Sequence, residues 1–177
     1  MMNMETIIWL FPILFMFHDF EEIIFMQTWI VRNKSYLSER FPKLSKKILF
    51  HFEKIPTASF AVGVAEEFIL ISIVTISAAI SHWYFLWIGL FVAFTFHLII
   101  HCFQFIIIRK YVPAVFTSII CLPICIYIID NTVQLFPIKE IIFYSVLGFI
   151  IMAGNLILIH KFMNAFTDQL RRYEQTK

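Results

Sequence analysis

Long apolar segments separated by short polar stretches dominate the pattern along the chain. A helix that crosses a bilayer needs about 20 mostly apolar residues, each adding about 1.5 Å of length. Segments of about that length lie near residues 6–31, 58–80, 83–108, 112–129 and 138–162. The pattern predicts an all-α fold, a polytopic membrane helix bundle with about five transmembrane helices that forms one domain over residues 1–177.

The polar stretch 32–57, between the first two predicted spans, has an apolar pattern of its own. Apolar side chains recur every three or four residues, with lysines between them, at Phe41, Leu44, Ile48, Phe52 and Ile55. A basic helix with such an apolar face binds the anionic surface of the cytoplasmic leaflet. We therefore expect a basic amphipathic helix at the membrane interface, with a solvated basic loop as the alternative.

The distribution of basic residues predicts the orientation of the chain. Of the 14 Lys and Arg residues, 13 lie in the 32–57 segment, at Arg109 and Lys110, or from Lys161 onward. Five spans put all 13 on one side of the membrane, and cytoplasmic loops carry an excess of Lys and Arg. We expect the N-terminus outside, the C-terminus in the cytoplasm, and the plasma membrane as the location.

Composition excludes several other classes of protein. Hydrophobic residues make up 60% of the chain and charged residues 15%, with a mean hydropathy of +0.83, which excludes a soluble globule or a disordered chain. A net charge of +2 is too small to indicate a nucleic-acid partner, so the expected partner is the lipid bilayer. The three cysteines all lie in apolar segments and form no C-x-x-C pair, which argues against a disulfide framework or a thiolate metal site.

Ionisable side chains inside the apolar segments are the exception to this pattern. Because a charged side chain at the bilayer centre costs about 3 kcal/mol on insertion scales, such residues mark functional sites. They and one amide side chain occur in four of the five predicted spans, as His18, Asp19, Glu21, Glu22, Glu66, Glu67, His97, His101 and Asn155.

Helical spacing and depth indicate that these side chains share one cavity. His18 and Glu22 are one turn apart, and so are His97 and His101. Counted from the predicted cytoplasmic ends, the side chains on the first three spans lie at a common depth of about 10–20 Å. No Lys or Arg lies at that depth, so the carboxylates need either protons or a divalent cation. Mixed His and carboxylate donors suit zinc or iron.

Each of these residues receives a predicted role. Glu21 would be the general base toward a metal-activated water, while Asp19 and Asn155 would hydrogen-bond to the metal ligands. One of the two adjacent glutamates of the second span is expected to point at the centre, because neighbouring residues differ by about 100°. Thr117 on the fourth span can line the same pocket. The expected metal ligands are His18, Glu22, Glu66, Glu67, His97 and His101.

Three functions fit this constellation. The leading one is an intramembrane metal-dependent enzyme that hydrolyses a lipid-like or other apolar substrate, because His-x-x-Glu-Glu is close to the His-x-x-Glu-His pattern of inverted zinc peptidases. A di-iron lipid oxygenase or desaturase is the second, since such sites combine Glu with His at three-residue spacing. The third is a proton- or cation-coupled transporter. Five spans without a visible repeat disfavour an inverted-repeat transporter and leave a homodimeric one open.

Several segments also resemble a known family. His18-Asp19-Phe20-Glu21-Glu22, the histidine segment around His101, and Arg109-Lys110-Tyr111-Val112-Pro113 are similar to motifs of the HXXEE-domain family of small integral membrane proteins. The resemblance extends over most of the chain and implies family membership without implying an activity. In the family pattern an Asn precedes the later His by four residues, where this chain has His97, so the resemblance implies an additional imidazole here.

Overall fold

The computed structural model describes residues 3–43 and 54–175. Within these ranges the chain is α-helical and contains no strand, which confirms the predicted all-α class. The helices, in chain order, are α1 (Met4–Ile7), α2 (Leu10–Arg40), α3 (Thr57–Ser81), α4 (Phe85–Ile108), α5 (Val115–Leu135) and α6 (Ile138–Gln175).

Four of these helices, α3 to α6, are long and apolar enough to cross a membrane. The prediction of a helical membrane protein is confirmed to that extent. Helix α2 has sufficient length, but it carries Asp19, Glu21 and Glu22 within one turn. That concentration of carboxylates distinguishes α2 from the four more uniformly apolar helices.

The helix boundaries agree best with the prediction for α3 and α4 and differ elsewhere. Helix α2 continues to Arg40 instead of ending near residue 31, because Leu37 is buried on this extension and packs in a cluster with Ile30. Helix α6 continues to Gln175 instead of residue 162, since its later turns pack on α3. The Thr167 hydroxyl there donates to the Ser59 hydroxyl at 2.8 Å.

The predicted amphipathic helix falls mainly on residues outside the described ranges. Leu44, Ile48 and Phe52 all lie there. Phe41 is the C-cap residue of α2, with φ −132° and ψ 61°. Ile55 is 4% exposed and packs with Ile159 and Met163 of α6.

Helix α4 lies at the centre of the bundle and contacts α3, α5 and α6. Its backbone approaches α6 so closely that a Cβ on Gly89 would overlap the carbonyl of Tyr144, and one on Gly148 would overlap that of Gly89. Small residues allow such close packing between membrane helices. On another face of α4, Trp87 and Phe91 are buried and stacked, with ring centroids 4.9 Å apart.

The loop between α4 and α5 is fixed against the second half of α2. Arg109 and Ala114, at its two ends, have φ values of 57° and 70°. The Tyr36 hydroxyl on α2 donates to the carbonyl of Ile108 at 2.7 Å, and the Trp29 indole donates to the carbonyl of Tyr111. These bonds place the Tyr111 side chain beside the polar stretch of α2.

Candidate metal centre

Four side chains from α2 and α4, called the four-residue group below, converge inside the bundle. His18, Glu22, His97 and His101 each present one potential ligand atom, and these atoms lie within 4.8 Å of one another. His101 Nε2 is 3.0 Å from Glu22 Oε1 and 3.0 Å from His97 Nε2. Helical geometry explains the convergence, because each helix contributes two residues one turn apart on the same face.

The group is shielded from the surroundings. His18, Glu22 and His101 are 0%, 7% and 4% exposed, while His97 is half-buried. Among the described residues, His18 Nε2 and His101 Nδ1 have no hydrogen-bond partner. A buried polar atom without a partner costs about 1–3 kcal/mol, and the unpartnered Nε2 of His18 is the atom that can accept a ligand.

The donor set fits a divalent transition metal. Neighbouring ligand atoms around one ion lie roughly 3.0–3.4 Å apart when each bond is about 2.1 Å; both His101 Nε2 separations are 3.0 Å, a distance that is also that of a hydrogen bond. Three imidazoles and one carboxylate suit zinc or iron better than magnesium or calcium, which prefer oxygen ligands. Zinc can expand to five ligands, so four protein donors leave room for a further one.

Glu21 lies on the same helix but faces α5 instead of the four-residue group. Its Oε2 accepts the backbone N–H of Thr117 at 2.8 Å and the Thr117 hydroxyl at 2.7 Å, and its Oε1 accepts the Tyr111 hydroxyl at 2.6 Å. Thr117 is the third residue of α5, which has no side-chain cap of its own. Glu21 therefore caps α5 from another helix, where the helix dipole favours a carboxylate.

The Thr117 hydroxyl connects this carboxylate to the four-residue group. Its Oγ1 is 3.3 Å from His18 Nδ1, and the Ser118 hydroxyl is 3.5 Å from the same nitrogen. The single hydroxyl proton of Thr117 makes its shortest bond to Glu21, so the oxygen is left to accept from His18 Nδ1–H. This assigns the proton to Nδ1 and leaves the Nε2 lone pair available for a metal.

The Tyr111 hydroxyl completes the same network from outside the spans. Burial, together with its hydrogen bond to the Glu21 carboxylate, raises the pKa of Tyr111 well above its usual range. The sequence pattern gives no hint of this contact, because Tyr111 and Glu21 are 90 positions apart. In the sequence Tyr111 belongs only to a motif similar to the family's, and no periodicity links a loop residue to a distant helix.

The remaining predicted site residues surround the group without joining it. Asp19 is 4% exposed, and its Oδ2 has no hydrogen-bond partner among the described residues. Glu66 accepts a hydrogen bond from the Asn155 amide at 3.2 Å. Glu67 lies on the wall of a cavity of about 120 Å³, together with His97 and Asn155. The contact of Asn155 with Glu66 is thus to a carboxylate outside the four-residue group.

Comparison with known proteins identifies the family. A family model described as "Protein of unknown function with HXXEE motif" matches residues 9–128. The chain belongs to the HXXEE family. This confirms the resemblance seen in the sequence. The HXXEE motif lies on α2, where His18 and Glu22 belong to the four-residue group and Glu21 caps α5. No curated protein and no solved structure matches the chain.

Proposed function

We propose that this HXXEE protein is an intramembrane metal-dependent enzyme that hydrolyses a lipid-like or other apolar substrate. The observation that carries the proposal is the convergence of His18, Glu22, His97 and His101 within 4.8 Å, inside helices that suit a membrane. Sequence adds a second argument, because no Lys or Arg lies in residues 1–31 or 55–108 to neutralise the buried carboxylates of α2. A divalent cation held by these residues would supply that missing positive charge.

A zinc or iron ion at this group would polarise a carbonyl and activate water for hydrolysis. The surrounding side chains have separate tasks in this proposal. Thr117 and Glu21 hold the His18 ring in the orientation that frees Nε2. The predicted role of Glu21 as general base stays a prediction, and its hydrogen bonds favour a positioning role. Glu67 is the carboxylate on the cavity wall, next to His97, where it can exchange a proton with a bound substrate or water.

We further propose that α2 is a fifth span, with the N-terminus outside and the C-terminus in the cytoplasm of a plasma-membrane protein. At about 1.5 Å per residue, the 31 residues of α2 extend roughly 46 Å, which exceeds the hydrocarbon thickness of a bilayer. Thirteen of the 14 Lys and Arg residues then lie on one side. Cysteine accessibility tests this orientation: a membrane-impermeant thiol reagent applied to intact cells should label Ser81→Cys and spare Lys110→Cys.

Elemental analysis of the detergent-purified protein tests the metal centre directly. We expect about one zinc or iron per chain, lost in the His18→Ala, Glu22→Ala double variant. His82→Ala is the matched control, because His82 lies in the exposed turn between α3 and α4, away from the group. Failure of the wild-type protein to bind metal after reconstitution would contradict the proposal and favour a transporter. About two irons per chain would favour oxygen chemistry instead.

Hydrolysis can be tested once the metal is identified. The metal-loaded protein should release nitrophenolate from p-nitrophenyl decanoate, and the double variant should not. A His82→Ala protein should retain the activity. Equal release by the double variant and the wild type would show that the four-residue group does not perform the reaction.

A further inference from the structure

The cavity beside His97 runs between helices α2, α3, α4 and α6 and has one polar end. Short connections make α3 antiparallel to α4 and make α6 parallel to α4. On α4, Leu90 and Ala93 precede His97, whereas on α3 Glu67 precedes the apolar lining residues. The polar side chains on these helices therefore meet at the same end of the cavity.

The rest of the cavity is apolar and narrow. From Leu90 to His97 it follows seven residues of α4, or about 10 Å along the helix axis. Its volume of about 120 Å³ is close to that of a cavity that holds one benzene molecule, about 150 Å³. A single short alkyl chain of about eight carbons fits such a space, and a fused ring system such as a sterol does not.

The cavity is also accessible from the side. Three of its lining residues are substantially exposed on the outer surface of the bundle: Leu70 on α3 is 40% exposed, and Ile151 and Leu156 on α6 are 39% and 41% exposed. In a bundle that spans a membrane, the outer surface faces lipid. An alkyl chain can therefore enter the cavity between α3 and α6 without crossing the polar surface of the membrane.

We propose that this cavity binds the alkyl chain of an amphiphile and places its polar group beside His97, Glu67 and Asn155. The alkyl chain lies along Leu90. The polar group lies beside His97, which both lines the cavity and belongs to the four-residue group. This inference rests on the proposed function for its catalytic meaning and gives the substrate class as a single-chain amphiphile or one chain of a lipid. The binding itself requires no metal.

Photolabelling tests the proposal in protein purified in a sterol-based detergent, which has no alkyl chain to compete. The probe is octanol, whose chain matches the roughly 10 Å length of the cavity, with a diazirine either at the end far from the hydroxyl or on a carbon near the hydroxyl. We expect the terminal label near Phe11 and Leu90, and the other label near Met152 and Asn155. The opposite order, or labelling only at the exposed surface, would overturn the proposal.

Cavity-filling variants provide the second readout. Ala93 is 1% exposed and lines the cavity, so Ala93→Phe should reduce labelling about tenfold, equivalent to about 1.4 kcal/mol. Ala153→Phe, on the exposed face of α6, is the matched control and should label like the wild type. If Ala93→Phe does not fold, Met152→Trp fills the same cavity from α6. Undiminished labelling of a folded cavity-filling variant would overturn the proposal.

The experiment separates this inference from the enzyme proposal. Labelling is carried out on metal-free and zinc-loaded protein. Cavity labelling in a protein that binds no metal would support the cavity site and refute the metal-dependent enzyme. Metal binding without cavity labelling would refute the cavity site alone.

Discussion

Replacing Thr117 with Val tests whether the Glu21 network holds the His18 ring in place. The substitution removes the hydroxyl that lies 2.7 Å from Glu21 Oε2 and 3.3 Å from His18 Nδ1. Valine has nearly the same shape, and the backbone N–H of residue 117 still donates to Glu21. The change is therefore confined to the bridge between the carboxylate and the imidazole.

The size of the effect follows from the two contacts that are lost. A hydrogen bond to a charged group contributes about 1.5–3 kcal/mol to stability. Loss of a partner that orients a ligating histidine typically weakens metal binding about 10–100-fold. We expect the zinc dissociation constant of Thr117→Val to rise by about that factor, which corresponds to roughly 1.4–2.8 kcal/mol.

The assay is a zinc titration against a chromophoric chelator, with cobalt absorption as a second report on ligand geometry. Thr132→Val is the matched control, because Thr132 is also buried on α5 but donates only to the carbonyl of Ile128 in its own helix. Thr117→Ser should restore the affinity, since it restores the hydroxyl. Wild-type affinity in a folded Thr117→Val protein would refute the bridging role.

Two further predictions concern the stability of the fold. Gly148→Val should lower the free energy of unfolding by about 1–3 kcal/mol, because its Cβ would overlap the Gly89 backbone. Gly154→Val is the control, since a Cβ there meets nothing within 4 Å, and equal thermal midpoints for the two variants would contradict the prediction. The raised pKa of Tyr111 makes its protonated hydroxyl a source of stability. That stability is fully present below pH 10.0, the ordinary pKa of tyrosine, and is lost as the pH rises through the higher pKa of the folded state. Thermal unfolding should therefore show a smaller loss at alkaline pH in Tyr111→Phe than in the wild type, and identical pH profiles would refute this.

Much of the helical architecture follows from local pattern. The boundaries of α3 and α4 lie within two residues of the prediction, because uniformly apolar segments bounded by polar turns leave little choice of where a helix ends. The extensions of α2 to Arg40 and of α6 to Gln175 were not predicted. Both extensions are too polar for an apolar-segment criterion, and their helices are stabilised by packing against other helices instead.

The candidate site was likewise predicted in part from local pattern and in part not. The i, i+4 spacing placed His18 with Glu22 and His97 with His101, and equal depth placed the two pairs together. The shared arc of α2 also predicts that Glu21 faces the same centre as His18, yet its carboxylate points toward α5. The angular position of a residue on its own helix does not show which of two neighbouring helices the side chain faces, when both helices pack near that side.

The sequence by itself determined that this chain forms membrane-suited helices and that its buried His and Glu residues lie at one level, since helical periodicity and rise are local properties. Only the tertiary structure decided which partners those residues meet. It directed Glu21 to the start of α5, connected Thr117 to His18, and placed Glu67 and Asn155 at one end of an apolar cavity. Those choices depend on the rotation and packing of whole helices, and contacts between residues 90 or more positions apart leave no periodic signal in the chain.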